Sequence, residues 1–386
     1  MSFQAGVAKV NITPAIGCAM AGYAARKHGA VGIRDELWAR ALYLTDTKND
    51  LMLLGVETVG IPAKMVERVR RRVEELTGIP ASNVFIAATH THSGPSIPRS
   101  DVDPVTANNA AVFEDKLVGV ATWAKSLSAP ARIFYRRGHA QCGVNRREKR
   151  DGRVILGKAP DQPVYPWVDV LQITDLNGQT KAIWSCHPCH AVVLGQNNYF
   201  ISGDFPGAAS RRIEEQTGAV AIFANGCAGN INSDPHGADF DAVDRLGHYL
   251  AAAVMKELLS SVQGRELTPS LSSLQHGFLL PADSGGIGFS VHAVSIGEVA
   301  LLGLPAEVFV ELGMSIQEQS PFEITVPVGY ANGYQGYIPT EQAFEEGGYE
   351  VGARVREQED RITAEAPAVL IAESLKALHR LKEVAS

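Results

Sequence analysis

The sequence predicts one large layered α/β domain in which mixed β-sheets are flanked by helices. Three observations predict it. Short apolar, β-branched runs alternate along the whole chain with segments of helical periodicity. No Pro/Gly/Ser-rich linker separates them, and no internal repeat is visible. The 386 residues are 45% hydrophobic and 20% charged, an ordinary globular composition with enough chain for a sizeable core. A length of this kind gives a prior of two or three domains at about 150 residues each. The spread of the motifs described below makes a single domain over 1–386 the better expectation.

The elements follow in order. Arg40 to Asp46 alternates, and Leu51 to Val59 is apolar and β-rich, so both read as strands. From Pro62 to Gly78, Val66, Val69, Val73 and Leu76 recur at three- and four-residue intervals among Glu and Arg, which predicts an amphipathic helix closed by a glycine. Asn83 to Ala88 is a buried strand, completing a βαβ-like start. Val168–Thr174 and Thr180–Ser185 flank Leu176-Asn177-Gly178 as a hairpin. Pro206 to Gly218 reads as a helix, Ala219 to Phe223 as a strand, and Ala242 to Leu259 as another amphipathic helix. Val291–Ser295 and Val299–Leu304 form a strand pair, with a helix from Ala306 to about Gln319 and a last one within Ala364–Lys382. The polar stretch Arg146 to Gln162 is expected to be a loop.

Thirty-five basic against 42 acidic side chains give a net charge of −7. A nucleic-acid binder would show a basic excess, so none is expected as a partner. No apolar run approaches the roughly 18 residues of a membrane span. The first residues lack the charged and apolar regions of a signal peptide. The expectation is a cytoplasmic protein, away from membranes, whose five cysteines are thiols.

Four constellations carry chemistry. Thr89-His90-Thr91-His92-Ser93-Gly94-Pro95 follows a buried strand, where ligands of α/β sheets collect, and its two imidazoles suit a metal. The bland alternative is one ligand plus one hydrogen-bonding histidine. Cys186-His187-Pro188-Cys189-His190 has the C-x-x-C-H form of haem attachment, but that chemistry requires export. It also suits a structural zinc, although no second cysteine pair exists, or a single histidine ligand. Asp204 either orients a histidine or caps the helix behind it. Ala224 to Ser233 is a Gly/Asn-rich turn after a strand, suited to an oxyanion or simply to tight turning, with Cys227 a nucleophile lacking an evident base. Finally, Glu307 stands at an expected helix start, followed by Tyr334, Tyr337 and Tyr349 in an aromatic, aperiodic region that packs on the core or lines a pocket.

Taken together, these segments resemble the neutral/alkaline ceramidase family. The resemblance rests on the Thr89–Pro95 motif, Asn145-Arg146, His187-Pro188, Gly203-Asp204, Ala228-Gly229-Asn230, Pro305-Ala306-Glu307 and the tyrosine spacing, all in the family's order. It implies a ceramidase-like catalytic domain and a zinc, or another divalent metal, held by His90, His187, Glu307 and Tyr337. His92 lies close by, with His90 and His92 both candidates for the ligand role. It further implies catalytic roles for Arg146, facing substrate, and Tyr349. Two departures stand out. Asn232 occupies the family's serine position, with Ser233 one place along. The chain also stops after a helix, with no C-terminal immunoglobulin-like domain, which speaks against a membrane lipid as substrate.

The expected function is therefore zinc-dependent hydrolysis of a small soluble amide, ester or lactone, with metal-bound water as nucleophile. Asn232 and the N–H groups near Gly229 would hold the oxyanion, and His92 or Tyr349 would move the proton. Two alternatives stay open: a metal-dependent lyase, aldolase or isomerase, and a non-catalytic binding protein. A homo-oligomer is compatible with either.

Overall fold

A computed structural model describes residues 2–97, 104–352 and 360–385. Its strands bury both faces. In Asp50–Val56, Leu51 and Leu53 enter one core while Met52, Leu54 and Val56 enter another. Two-sided burial explains why such strands read as continuous apolar runs.

The main sheet has nine strands. Eight run in the order Val220–Asn225, Thr180–His187, Trp167–Asp175, Ala129–His139, Phe3–Asn11, Trp38–Thr45, Asp50–Val56 and Val84–Ala88, and Arg265–Glu266 joins Ala129–His139. Pairing is antiparallel except at the two ends, where 180–187 runs parallel to 220–225 and 50–56 parallel to 84–88. A second sheet orders Leu271–Leu280, Ile287–Ile296, Val299–Gly303 and Ile324–Val328. Leu42, Leu53, Phe85 and Trp184 of the first meet Leu271, Val294, Leu301 and Val326 of the second.

Helices cover the outer faces. α1 (Ala63–Thr77), α2 (Pro104–Ser126), α3 (Asp204–Thr217) and α4 (Phe240–Leu258) lie on the main sheet. α5 (Val310–Gln319) and α7 (Ala366–Ala385) cover the second sheet, and α6 (Glu341–Glu346) is short. The expected α/β layering of mixed sheets and flanking helices is what the chain forms, as helix, sheet, sheet, helix.

One packing detail positions the site. The main sheet curls until its two ends touch, and Gly55 lies against the far strand. A methyl there would sit 2.5 Å from Ile222 Cγ2 and 3.1 Å from the Phe223 carbonyl oxygen. This closure brings the carboxyl ends of 84–88, 180–187 and 220–225 together, although they are far apart in strand order.

Two expectations change. The helix expected from Ala306 begins at Val310, and Glu307–Val308 is instead a short strand paired in parallel with Tyr337–Ile338. Glu307 therefore owes its place to strand register opposite Tyr337, not to a helix dipole. The expected loop 146–162 contains the hairpin Arg147–Arg150 and Arg153–Leu156.

Candidate metal centre

Each ligand-bearing loop leaves a strand end. After Val84–Ala88 the backbone turns at His90, which adopts a left-handed φ of 67°. A branched side chain there carries strain of about 1–3 kcal/mol that the surroundings must offset. The His90 N–H donates to the Thr58 carbonyl at 2.9 Å, and its ring Nδ1 lies 2.6 Å from the Val59 carbonyl. His190 follows Thr180–His187, with Nδ1 2.7 Å from the Ala228 carbonyl. The Asn225 side chain ties the two loops. Its amide donates to the carbonyls of Thr89 (3.2 Å) and Cys189 (2.9 Å), and its oxygen accepts from the Cys189 N–H (3.0 Å). Thr89 and Cys189 are the residues just before His90 and His190.

The resulting cluster is short of protons. A carbonyl only accepts, so Nδ1 of His90 and of His190 must carry a hydrogen, and in the neutral ring Nε2 is then the lone pair. Those lone pairs face Glu307 Oε2 at 3.4 and 3.1 Å, and His92 Nε2 lies 3.1 Å from His90 Nε2. Burial and the neighbouring His90 and His190 hold His92 well below its ordinary pKa. Burial and Arg146 lower His190 to about 3. Burial pushes the Glu307 carboxyl up, but His90 and His190 outweigh it and hold Glu307 well below the usual carboxylate range. Three imidazoles and the Glu307 carboxylate therefore converge in a dry pocket. Such a set is costly alone and fits a divalent cation, with the carbonyl acceptors fixing each ring. Among the described residues His90, His92 and His190 are the histidine, cysteine or carboxylate group whose ligating atoms converge, within 4.8 Å.

The predicted residues fare differently. His90, His92 and Glu307 come together, and the choice between His90 and His92 dissolves because both enter the cluster. His187 does not. Its Nδ1 faces the Trp167 carbonyl at 2.8 Å and its Nε2 the Cys142 N–H at 3.4 Å, so both nitrogens are committed within the sheet. His190, three residues later and past the strand end, takes the place expected for His187. Tyr337 is buried opposite Glu307 and packs on Arg146, whose guanidinium carbon is 5.3 Å from its ring. Arg146 is itself buried. Its Nε pairs with Glu350 at 2.8 Å and its Nη1 donates to Asn232 at 3.1 Å. Burial opposes its charge, but Tyr337, Glu350 and Glu307 outweigh it and keep Arg146 protonated. Tyr349 is 56% exposed, edge-on to Tyr337 at 5.6 Å.

The Gly/Asn turn corrects a second expectation. The Gly229 N–H donates to the Val308 carbonyl at 2.8 Å and is not free for an oxyanion. Gly229 is required for close approach, since a methyl would lie 2.3 Å from the Glu307 carbonyl oxygen. Ser233 is buried on the opposite side of its strand from Asn232. Burial pushes the Cys227 thiol up to about 12 and those of Cys186 and Cys189 well above their ordinary value, so none is a ready thiolate. The Asp204 carboxylate neither orients a histidine nor stands before its helix. It accepts N–H bonds from Val193, Leu194 and Phe205, pinning the loop that follows His190.

Sequence reasoning gave no role to Asn225 or Glu350, and named Tyr334 only as part of an aromatic region. The Tyr334 hydroxyl donates to Glu307 Oε1 at 2.7 Å, and Glu350 also binds Arg147 at 2.8 Å. The local signal for His190 was present, since it is the second histidine of the C-x-x-C-H string. The cluster opens into a cleft of about 1260 Å³, walled by His92, Arg146, His190, Asn232, Tyr337 and Tyr349 among others.

Fold and site together define a layered α/β protein with a buried histidine–carboxylate centre suited to a metal. The chain is similar to the neutral/alkaline ceramidases over part of its length: residues 3–114 match the family described as neutral/alkaline non-lysosomal ceramidase, N-terminal. The chain is 26% identical over 304 residues to a neutral ceramidase of Pseudomonas aeruginosa, covering 69% of this chain and 44% of that one. It is 28% identical over 242 residues to a neutral ceramidase of Mycobacterium tuberculosis, covering 58% and 37%. It thus spans less than half the length of these relatives. Among solved structures, the Pseudomonas aeruginosa neutral ceramidase superposes with a TM-score of 0.80 at 21% identity, over 99% of this chain and 75% of that one. A structure described as ceramidase complexed with C2 superposes at 0.85 and 20% identity, over 100% and 76%. No described helix is long and apolar enough to cross a membrane.

Proposed function

We propose that this protein is a zinc-dependent hydrolase of a small amide, ester or lactone. The observation that carries the reading is the convergence of three imidazoles and the Glu307 carboxylate at the foot of a cleft. His90, His92, His190 and Glu307 would hold the ion, with Tyr337 beside them. Imidazole with carboxylate suits zinc, and also iron, nickel or cobalt. Bound there, a divalent ion supplies Lewis-acid chemistry toward water and a carbonyl.

The chain's own residues do the rest. Arg146 directs a guanidinium nitrogen with no protein partner, Nη2, at the buried end of the cleft, where it receives the substrate carbonyl as negative charge develops. Asn232 accepts from Arg146 Nη1 and so aims that guanidinium. An amide is no nucleophile, which leaves water to attack. Tyr349, half out of the wall and against Tyr337, is placed to give a proton to the leaving group.

The same contact supports a second reading, since an Arg146–Asn232 pair would equally hold an enolate in a lyase or aldolase. The test is to load purified protein with zinc, measure bound metal, and offer amides, lactones and aldols. We expect about one ion per chain, lost in His190→Ala and kept in His187→Ala, with cleavage of a C–N or C–O bond. Metal retained by His190→Ala sinks the ligand assignment, and cleavage confined to C–C bonds sinks the hydrolase.

A further inference from the structure

Four cleft-lining side chains carry a buried polar atom without a hydrogen-bond partner: Tyr23, His92 (Nδ1), Arg146 (Nη2) and Ser233. Tyr23 stands edge-on to His92 at 5.0 Å, with the Arg26 guanidinium 5.0 Å from its ring centre. Arg26 donates only to backbone carbonyls: Ala21, His92 at 2.8 Å and Asn198 at 3.1 Å. Its Nη2 is buried and unpartnered, and among the described residues no carboxylate pairs with it.

The nearby carboxylates are already engaged. Glu350 is shared by Arg146 and Arg147. Asp239 caps α4 through the Ala242 N–H, and Asp234 pairs with Lys158 at 2.6 Å. Asp204 takes its three backbone N–H groups. The cleft wall therefore presents unpartnered donors on Arg146 and Tyr23, and behind Tyr23 lies the Arg26 guanidinium, with no carboxylate partner among the described residues, in a chain whose net charge is −7. A buried cation without a counter-charge is expensive, and an anionic ligand relieves it.

We infer that the substrate is an acid, carrying a carboxylate beside its scissile bond, with N-acyl amino acids as the simplest class. Tyr23 receives the carboxylate and Arg26 supplies the charge behind it, while Arg146 Nη2 keeps the scissile carbonyl. This rests on the hydrolase reading and narrows it. Hydrolysis breaks the C–N bond, forms a C–O bond from water, and leaves the second water proton on the departing amine.

The test is calorimetric titration with N-acetylphenylalanine and its neutral primary amide, which match in shape. The aromatic side chain suits a rim formed by Tyr199, Phe200 and Tyr349. Both metal-loaded and metal-stripped protein are used, so that a carboxylate sitting on the ion is recognised. We expect the acid to bind at least about tenfold more tightly than the amide in both forms, less so as salt rises. Tyr23→Phe and Arg26→Gln should each weaken the acid at least about threefold and leave the amide within about twofold. Equal affinities, no binding of the acid, a preference seen only with metal, or a preference untouched by both substitutions overturns the inference. Failure of the hydrolase reading looks different: the preference persists and no substrate turns over.

Discussion

Asn225→Ala should damage the metal centre without touching it. The substitution removes three hydrogen bonds, of 3.0, 3.2 and 2.9 Å, from one fully buried amide. At about 1 kcal/mol net each, the loss of stability is about 3 kcal/mol. The more telling effect is on geometry, since the amide ties the residue before His90 to the residue before His190. Partners that orient ligands rather than bind metal typically govern about 10- to 100-fold in affinity, or about 1.4–2.7 kcal/mol. Urea unfolding of metal-stripped protein measures the first quantity. Zinc competition against a chromophoric chelator, on protein shown to be folded, measures the second. If stability falls by about 3 kcal/mol while the zinc dissociation constant stays within about twofold, Asn225 is only a structural brace and the reasoning fails.

Other predictions concern the scaffold and its charges. Burial lowers His187 from about 6.5 to about 4. The unfolded chain therefore binds the extra proton first, and stability is lost as pH falls from about 6.5 to 4. At about 1.4 kcal/mol per unit His187 accounts for about 3 kcal/mol of that loss, so denaturant midpoints measured across this window should drop less in His187→Gln. Gly55→Ala should cost about 1–3 kcal/mol, because its methyl meets Ile222 where the sheet closes; an unchanged midpoint in urea would contradict that closure. Glu350→Gln strands Arg146 and Arg147 in the interior and should cost about 3–5 kcal/mol, with a fall in turnover of any substrate found; the combination is checked by unfolding and kinetics on one preparation. Saturating zinc at about 100 times its dissociation constant should stabilise the protein by about 2.7 kcal/mol, read as a thermal shift that a chelator reverses.

The sequence disclosed the fold class because buried strands are apolar on both sides and α1 and α4 are amphipathic. It did not disclose α2, whose buried face of Phe113, Leu117, Val120 and Ala124 is blurred in the sequence by the exposed apolar Val112 and Trp123. Nor did it disclose the curl of the sheet. That curl is a tertiary consequence of a glycine meeting Ile222, and it decides which strand ends meet. Of the residues the motifs singled out, His90, His92 and Glu307 come together in the cluster, and Arg146, Asn232, Tyr337 and Tyr349 line the cleft. Choosing His187 over His190 was an error of three residues with a physical cause. His187 still lies in the strand, where both ring nitrogens find backbone partners, while His190 lies beyond it, where Nε2 faces Glu307 and Arg146 instead of backbone. Asn225 and Glu350 act through partners remote in sequence, so local patterns could not expose them.

The central claim is that four side chains, three from two loops and Glu307 from a short strand, hold one metal ion. Diffraction from zinc-loaded crystals, recorded on either side of the zinc absorption edge, tests it directly. The account predicts one strong anomalous peak, about 2.0–2.2 Å from Nε2 of His90, His92 and His190 and from a Glu307 oxygen. Zinc bound stoichiometrically elsewhere, at His187 or the cysteines, or no peak between these four side chains, would contradict it.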